Sequence, residues 1–350
     1  MRLVEVDPYD AAHVEAVTRL TELARAHDDP DGFVRTVEDV ANEARYGGDL
    51  EPSRTTLLLD DAGEPVGHLW LWVPAHDNLH LVEGGFCVRP DRRGQGYGTR
   101  LLEEIVSRTV ALGRTTLWIG IAADDARSAA FLTRHGFTCA TQDARRHQVL
   151  AHVDATQVER LRRDAAEHSG DYVLERLDPP YDDAFLAGLI TAMSAINDAP
   201  MGSLVFEDEV FDLDRMREGE RARVLRGERT RRVVARHRET GEVAGHTYLA
   251  VRPWAPREAY QYDTAVARAH RGHRLGVALK IEMMRWLAET EPQVEVVATW
   301  NNVDNHPMID VNEALGYRLS RTFAMFQRQL PPPSTSAAPP PPESTSARSW

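Results

Sequence analysis

Lysine is almost missing from this chain: of 41 basic residues only Lys280 is a lysine, and arginine supplies the rest. Cysteine is scarce too. Cys87 and Cys139 allow at most one bridge and leave no cysteine cluster with metal-ligand spacing, so a disulfide scaffold is excluded and no metal is expected. No apolar run approaches the roughly 20 residues that span a bilayer. The N-terminus, MRLVEVDPYD, lacks the basic and apolar regions of a secretory signal. The expected location is therefore the cytoplasm, without a membrane partner. Net positive charge is also absent. A balance of −13 and a pI of about 5.5 argue against a nucleic-acid partner held by electrostatics. What remains is 350 residues at 42% hydrophobic content, enough to bury a core. At roughly 150 residues per domain, that suggests two domains.

Self-comparison finds them. Glu64-Pro-Val-Gly-His-Leu-Trp-Leu-Trp-Val73 returns as Glu242-Val-Ala-Gly-His-Thr-Tyr-Leu-Ala-Val251, a shift of 178 residues. The same shift superposes Val88 on Val266, Arg93-Gly94 on Arg271-Gly272, Gly98 on Gly276 and Leu101 on Leu279. Gly136-Phe137 meets Gly316-Tyr317 at a shift of 180. A domain-sized period means two copies of one unit rather than a solenoid. Each copy reads as α/β: helices, a hairpin of β-rich runs, a further strand, a glycine-rich turn, an amphipathic helix, a strand and a short helix. The expected organisation is a first domain over 1–155, a linking helix over 156–171, a second domain over 172–330 and a Pro/Ser-rich disordered tail over 331–350.

Strand, turn, helix is where an anion-binding loop belongs. Val88-Arg-Pro-Asp-Arg-Arg-Gly-Gln-Gly-Tyr-Gly98 places Gly94, Gly96 and Gly98 just ahead of a helix, with Arg92 and Arg93 at the rim. Glycine lets the backbone approach a ligand and turn successive N–H groups toward one anion, and the helix N-terminus adds its dipole. A diphosphate suits that arrangement. No Gly-Lys-Ser/Thr follows, so this is not a Walker loop, and Thr99 breaks the dinucleotide fingerprint. In the second copy Arg271, Gly272 and Gly276 keep register, but Arg274 replaces the central glycine and either reaches a phosphate oxygen or crowds the loop.

Arg93-Gly-Gln-Gly96-Tyr-Gly98 resembles the Q/R-x-x-G-x-G/A signature of the GCN5-related N-acetyltransferases, the GNAT superfamily. Asn305, Met308, Asn312 and Gly316-Tyr317 keep the spacing of the family's downstream N-x-x-A-x-x-F-Y-x-x-x-G-F pattern, where the first copy holds Asp125, Ser128, Leu132 and Gly136-Phe137. The chain thus resembles tandem GNAT proteins of actinomycete type. That resemblance implies two GNAT domains, each a mixed, mainly antiparallel sheet flanked by helices. It implies acetyl-CoA as co-substrate, a small-molecule amine as acceptor and direct transfer between them, and it allows for one half to be degenerate. A non-catalytic acyl-CoA-binding protein is the alternative. The loop residues Arg93, Gly94, Gly96, Gly98, Arg271, Gly272 and Gly276 would grip the CoA pyrophosphate. Phe86, Val88, Thr264 and Val266 would line the pantetheine arm, and Asn305 would assist in the second copy.

For the chemistry, Glu83 lies five residues before Val88, where such enzymes often carry a base; its counterpart in the second copy is Gln261, and Asp263 is the nearest carboxylate there. Both copies depart from the family at the general acid, a tyrosine replaced here by Leu132 and Asn312. Cys87 is a strand cysteine more suited to packing than to covalent catalysis, and His68 and His246 to packing than to metal. The acidic run Glu207, Asp208, Glu209, Asp212 and Asp214 either draws a cationic acceptor or forms a solvated face. The duplicated halves are expected to pack as a pseudo-dimer within one chain, or to form a homodimer.

Overall fold

The structure is a computed structural model that describes residues 1–332; the tail expected over 331–350 lies almost entirely outside the described residues. The first half contains strands β1 (Arg2–Glu5), β2 (Arg54–Leu59), β3 (Pro65–Trp72), β4 (Leu81–Val88), β5 (Thr116–Ala122) and β6 (Thr138–Val149). Its helices are α1 (Ala11–Asp28), α2 (Val37–Arg45), α3 (Tyr97–Ala111) and α4 (Ala126–Arg134). A connecting helix α5 (Ala155–His168) leads to β7 (Tyr172–Leu177), β8 (Arg229–His237), β9 (Val243–Val251), β10 (Glu258–Val266), β11 (Val296–Asn302) and β12 (Arg318–Gln329). Around these strands lie α6 (Asp183–Ser194), α7 (Leu213–Arg226), α8 (Leu275–Thr290) and α9 (His306–Ala314).

Strand alternation decides the layers. In β2, Leu58 points into the core beneath α3, while Leu57 and Leu59 point to the opposite core beneath α1 and α2. In β8, Val233 and Ala235 face α5 and α8, and Val234 faces α6 and α7. Each half is therefore a sheet covered on both faces. All neighbouring strands run antiparallel except β4–β5 and β10–β11, which are parallel. The expected linking helix is more than a tether, since Val158, Leu161 and Ala165 of α5 pack into the second half's core. In the first half α2 starts only at Val37, four residues beyond Phe33. Thr36 and Asp39 form a capping box there, and Phe33 leaves to stack on His147 at 4.8 Å.

The halves interlock. All twelve strands form one sheet, ordered β1-β2-β3-β4-β5-β12-β6-β11-β10-β9-β8-β7. The last strand of each half thus pairs with the fifth strand of the other: β12 with β5, and β6 with β11. β6 and β12, related by the 180-residue shift, pair with each other across a pseudo-dyad, with Arg318 opposite His147 and Gln327 opposite Thr138.

The loops cross as well. Phe33, between α1 and α2, meets Tyr260 of β10 edge-on at 5.5 Å. In return, segment 199–212, between α6 and α7, lies over the first half. Ser203 N–H donates to the Ala140 carbonyl, Val205 N–H to Gln327 Oε1 and Glu207 N–H to Asn78 Oδ1. Phe206 packs 5.7 Å from Trp118. Ion pairs brace the junction: buried Arg252 holds Asp39 at 2.7 Å, and Arg215 holds Asp49, Asp77 and Glu209 together.

Candidate active site

β4 pairs with β3 from Glu83 to Val88, opposite Trp72 to Gly67. With β5 it pairs only from Leu81 to Glu83, opposite Thr116 to Trp118. From Gly84 onward the two strands separate and leave the β5 side of β4 without a partner strand. A cleft of about 640 Å³ fills the gap. Phe86, Val88, Arg93, Gly94, Gly96 and Gly98, all expected at a donor site, line this one cleft together with Ile119, Ile121 and Leu132.

At its mouth, Gly94 and Gly96 adopt φ of +79° and +88°, and Gly96 is the N-cap of α3 with no side chain capping the helix. Left-handed residues at these positions turn the loop N–H groups and the first-turn amides toward the same space, an anion nest. Arg93 contributes less directly than its charge suggests. Its guanidinium donates to the Val88 carbonyl at 3.1 Å and to both Asp28 oxygens, so it fastens the loop to the end of α1.

The second half repeats the backbone shape. β10 pairs with β11 only from Glu258 to Tyr260, and an extra residue between Gln261 and Thr264 bulges the strand as it leaves. Gly272 has φ of +88°, and Arg274 takes the left-handed place of Gly96 at +58° as N-cap of α8. The Arg274 guanidinium is engaged away from the loop. Its side chain turns to Asp164 on α5 at 3.2 Å. Arg271 repeats the Arg93 arrangement, bonded to the Val266 carbonyl and paired with Asp198. Thr264 bonds Thr247 across the ladder, and Asn305 caps α9 by accepting from Met308 N–H, the role Asp125 plays at α4.

Glu83 sits on the last β4 pair before the strands part, on the face covered by α1 and α2. Its carboxylate has no ion-pair or hydrogen-bond partner among the described residues, and burial raises its pKa to about 7, with nearby Asp143 and Glu43 adding to the shift. The residue is half-buried, and part of its surface stays open to solvent. Gln261, its counterpart, is committed to structure: its amide donates to Thr247 Oγ1 and the Tyr248 carbonyl. Asp263 is half-buried. Desolvation raises its pKa, while Arg223 and Arg232 pull it back.

Leu132 is buried core, and Asn312 donates to Asn301 at 2.7 Å from a fully buried position. Tyr97 accepts from Arg92, and Tyr317 lies buried under Lys280, so neither tyrosine stands at the family's acid position. Burial pushes the Cys87 thiol up to about 12, which keeps it protonated and non-nucleophilic. His68 is pushed down to about 4 beside Thr21, and His246 packs neutral against Arg232; no metal cluster occurs among the described residues.

Much of the acidic run is spent on structure: Glu209 on Arg215, Asp212 as the cap of α7 and Asp214 on Arg217. Sequence reasoning missed Asp143 and Glu43 around Glu83, the two acidic groups whose charge adds to its shift. Asp143 lies on a strand whose partners come from the other half, and only its polar place in an alternating strand marks it beforehand.

A family profile described as "Acetyltransferase (GNAT) family" matches residues 19–137 and 194–317. A mycothiol acetyltransferase of Acidothermus cellulolyticus is 27% identical over 342 residues, covering 93% of this chain and 95% of that protein. Another, from Streptosporangium roseum, is 33% identical over 129 residues, covering 37% of this chain and 35% of that protein. A tandem GNAT protein from the clavulanic acid biosynthesis pathway superposes with a TM-score of 0.77 at 24% identity, covering 95% of this chain and 99% of that one. A GCN5-related N-acetyltransferase from Sphaerobacter thermophilus gives 0.69 at 17% identity, covering 95% and 96%.

Proposed function

This chain is a tandem member of the GNAT acetyltransferase family, and we propose that its first half moves an acetyl group from acetyl-CoA to an amine of a small molecule, while the second half keeps the fold without a carboxylate at the position of Glu83. Acetyl-CoA, when bound, supplies the acetyl group as a reactive thioester. The residues present fit it. The nest at Gly94, Gly96 and the start of α3 suits a pyrophosphate, and the cleft of about 640 Å³ is lined by apolar Phe86, Val88, Ile119 and Ile121. The free edge of β4 offers backbone groups to an extended amide-bearing arm.

The acceptor amine must arrive from the face of Glu83. An alkyl ammonium has a pKa near 10.4 and does not attack until it loses a proton. At about 7, Glu83 is roughly half ionised at neutral pH, close to the optimum for a general base. Leu132 has no proton to give to the departing sulfur. A thiol's ordinary pKa near 8.5 makes departure as the thiolate accessible without one.

In the second half Asp263 is the nearest carboxylate, raised by burial and drawn back by the positive charge of Arg223 and Arg232, and Gln261 has no proton-accepting carboxylate. The observation that carries the reading is the unpaired Glu83 carboxylate at the point where β4 and β5 part. Titrating acetyl-CoA by calorimetry and then following CoA release over an amine panel, including the acceptor of the mycothiol acetyltransferases, tests it. Release abolished by Glu83→Gln with donor binding intact supports the assignment. Donor binding without release for any amine overturns it.

A further inference from the structure

Two side-chain amides clasp the segment that the second half lays over the first. Gln327 Oε1 accepts from Val205 N–H at 3.0 Å, and its Nε2 donates to the Ser203 carbonyl at 2.7 Å. Asn78, only 3% exposed, does the same further along: Oδ1 accepts from Glu207 N–H at 2.7 Å, and Nδ2 donates to the Glu207 carbonyl at 3.1 Å. His80 Nε2 adds a bond to the Val205 carbonyl at 3.2 Å. Gly202 lies so close to β6 that a Cβ there would meet the Ala140 carbonyl oxygen at 2.6 Å. Between the two clasps Phe206 turns inward, while Val205 and Glu207 on either side of it are exposed.

Phe206 turns toward the surroundings of Glu83. In the ladder Glu83 stands directly opposite Trp72 on β3 and Trp118 on β5. Their neighbours Leu71, Val82, Leu117 and Ile119 enter the core beneath α3, so alternation puts Glu83 and both tryptophans together on the other face. With neighbouring strands about 4.8 Å apart, the carboxylate has an indole on each side. Trp72 is fixed by its N–H bond to Glu51 at 3.0 Å, and Trp118 is backed by Phe206, their ring centroids 5.7 Å apart. The repeat supplies an internal control. The places of Trp72 and Trp118 are held in the second half by Ala250 and Ala298, so the aromatic surround belongs to the half that carries Glu83.

We infer that Phe206 is an acceptor-specificity residue supplied by the second half: with Trp72 and Trp118 it forms an apolar wall on which the carbon skeleton beside the reacting nitrogen packs, so that the first half selects primary amines carried on an apolar group. The inference rests on the reading that the first half transfers the acetyl group at Glu83. Each methylene that the wall takes out of water favours binding. The clasps at Gln327 and Asn78 hold the wall in place beforehand, so the acceptor does not bear the cost of ordering the segment. Gln327 and Asn78 are positioning residues in this scheme, and Phe206 is the one that touches the acceptor.

The test uses the full chain, saturating acetyl-CoA and the linear primary amines from ethylamine to hexylamine, with CoA release as the readout. In wild type kcat/KM is expected to rise about two- to fourfold per added methylene, through KM. Phe206→Ala is expected to flatten that rise, hexylamine losing far more than ethylamine, while acetyl-CoA binding by calorimetry stays as in wild type. Phe206→Leu, which keeps an apolar side chain, is expected to retain most of it. Should Phe206→Ala fail to fold, Gln327→Ala, which removes one clasp, must flatten the rise in its place. A flat series in wild type overturns the inference. So does a rise that survives in the folded variant, or an equal loss for every amine, which a merely structural role would give. Donor binding with no amine acetylated overturns the assignment of function instead, a different result.

Discussion

Replacing Glu83 with glutamine tests site and energetics together. The folded carboxyl has a pKa near 7 against 4.5 for the free side chain, and desolvation is the main cause. The sign follows. Below about pH 4.5 both folded and unfolded chains carry the proton, and Glu83 costs nothing. Between 4.5 and 7 the unfolded chain ionises first, so stability falls as pH rises, and above 7 the whole penalty is present. At about 1.36 kcal/mol per unit, the gap sets a ceiling of roughly 3 kcal/mol, and the partial opening to water reduces it to on the order of 1–3 kcal/mol. Glu83→Gln should therefore melt about 1–4 °C higher than wild type at pH 8, with the gain shrinking toward pH 5. The same variant should lose roughly 10²- to 10⁴-fold in kcat. Scanning calorimetry from pH 5 to 8 and a CoA-release assay give both numbers. A variant no more stable at pH 8 than wild type refutes the desolvated carboxylate, and one that keeps full activity refutes the base.

Gly96→Ala meets no atom within 4 Å, so its cost is left-handed backbone strain alone, about 1 kcal/mol, accompanied by weaker acetyl-CoA binding in calorimetry. The reciprocal Arg274→Gly should leave folding neutral to about 1 kcal/mol more stable, because it removes that strain and loses only an exposed pair with Asp164. Arg252→Ala strands buried Asp39 between the halves and should cost roughly 3–5 kcal/mol in urea unfolding. Burial lowers Lys280 to about 7, so the folded chain resists its charge and gains stability between pH 7 and 10.5 as the unfolded chain loses the proton. Lys280→Met should accordingly raise the melting temperature at pH 7 and much less at pH 10.

Local features were legible from the sequence: the glycine loop, the α3 stripe of Leu101, Leu102 and Ile105, the paired Gly-His hairpin and the place of Glu83. Each is written within one turn or one strand, where φ preference and periodicity act. The charge of Arg93 was legible, but not its destination, because Asp28 stands 65 residues away in sequence and a phosphate attracts a guanidinium as well as a carboxylate does. The pairing of β6 and β12 was not legible, since antiparallel strands from equivalent halves suit each other as well as they suit their own sheets. With that exchange hidden, the position of Asp143 near Glu83, and of Phe206 on Trp118, was hidden too.

The exchange of β6 and β12 bears on how the chain comes off the ribosome. The fifth strand of the first half stays unpaired on one side until β12, 180 residues beyond β6, has been made. At about 5–20 residues per second, that is a wait of roughly 10–40 s with an open, apolar strand edge. Neither half is a freestanding module, and a fragment ending near residue 155 would leave β5 without its outer partner and β6 without its sheet. Duplication followed by strand exchange has thus made two copies of one unit into a single obligate folding unit, synthesised in one chain at a fixed one-to-one ratio.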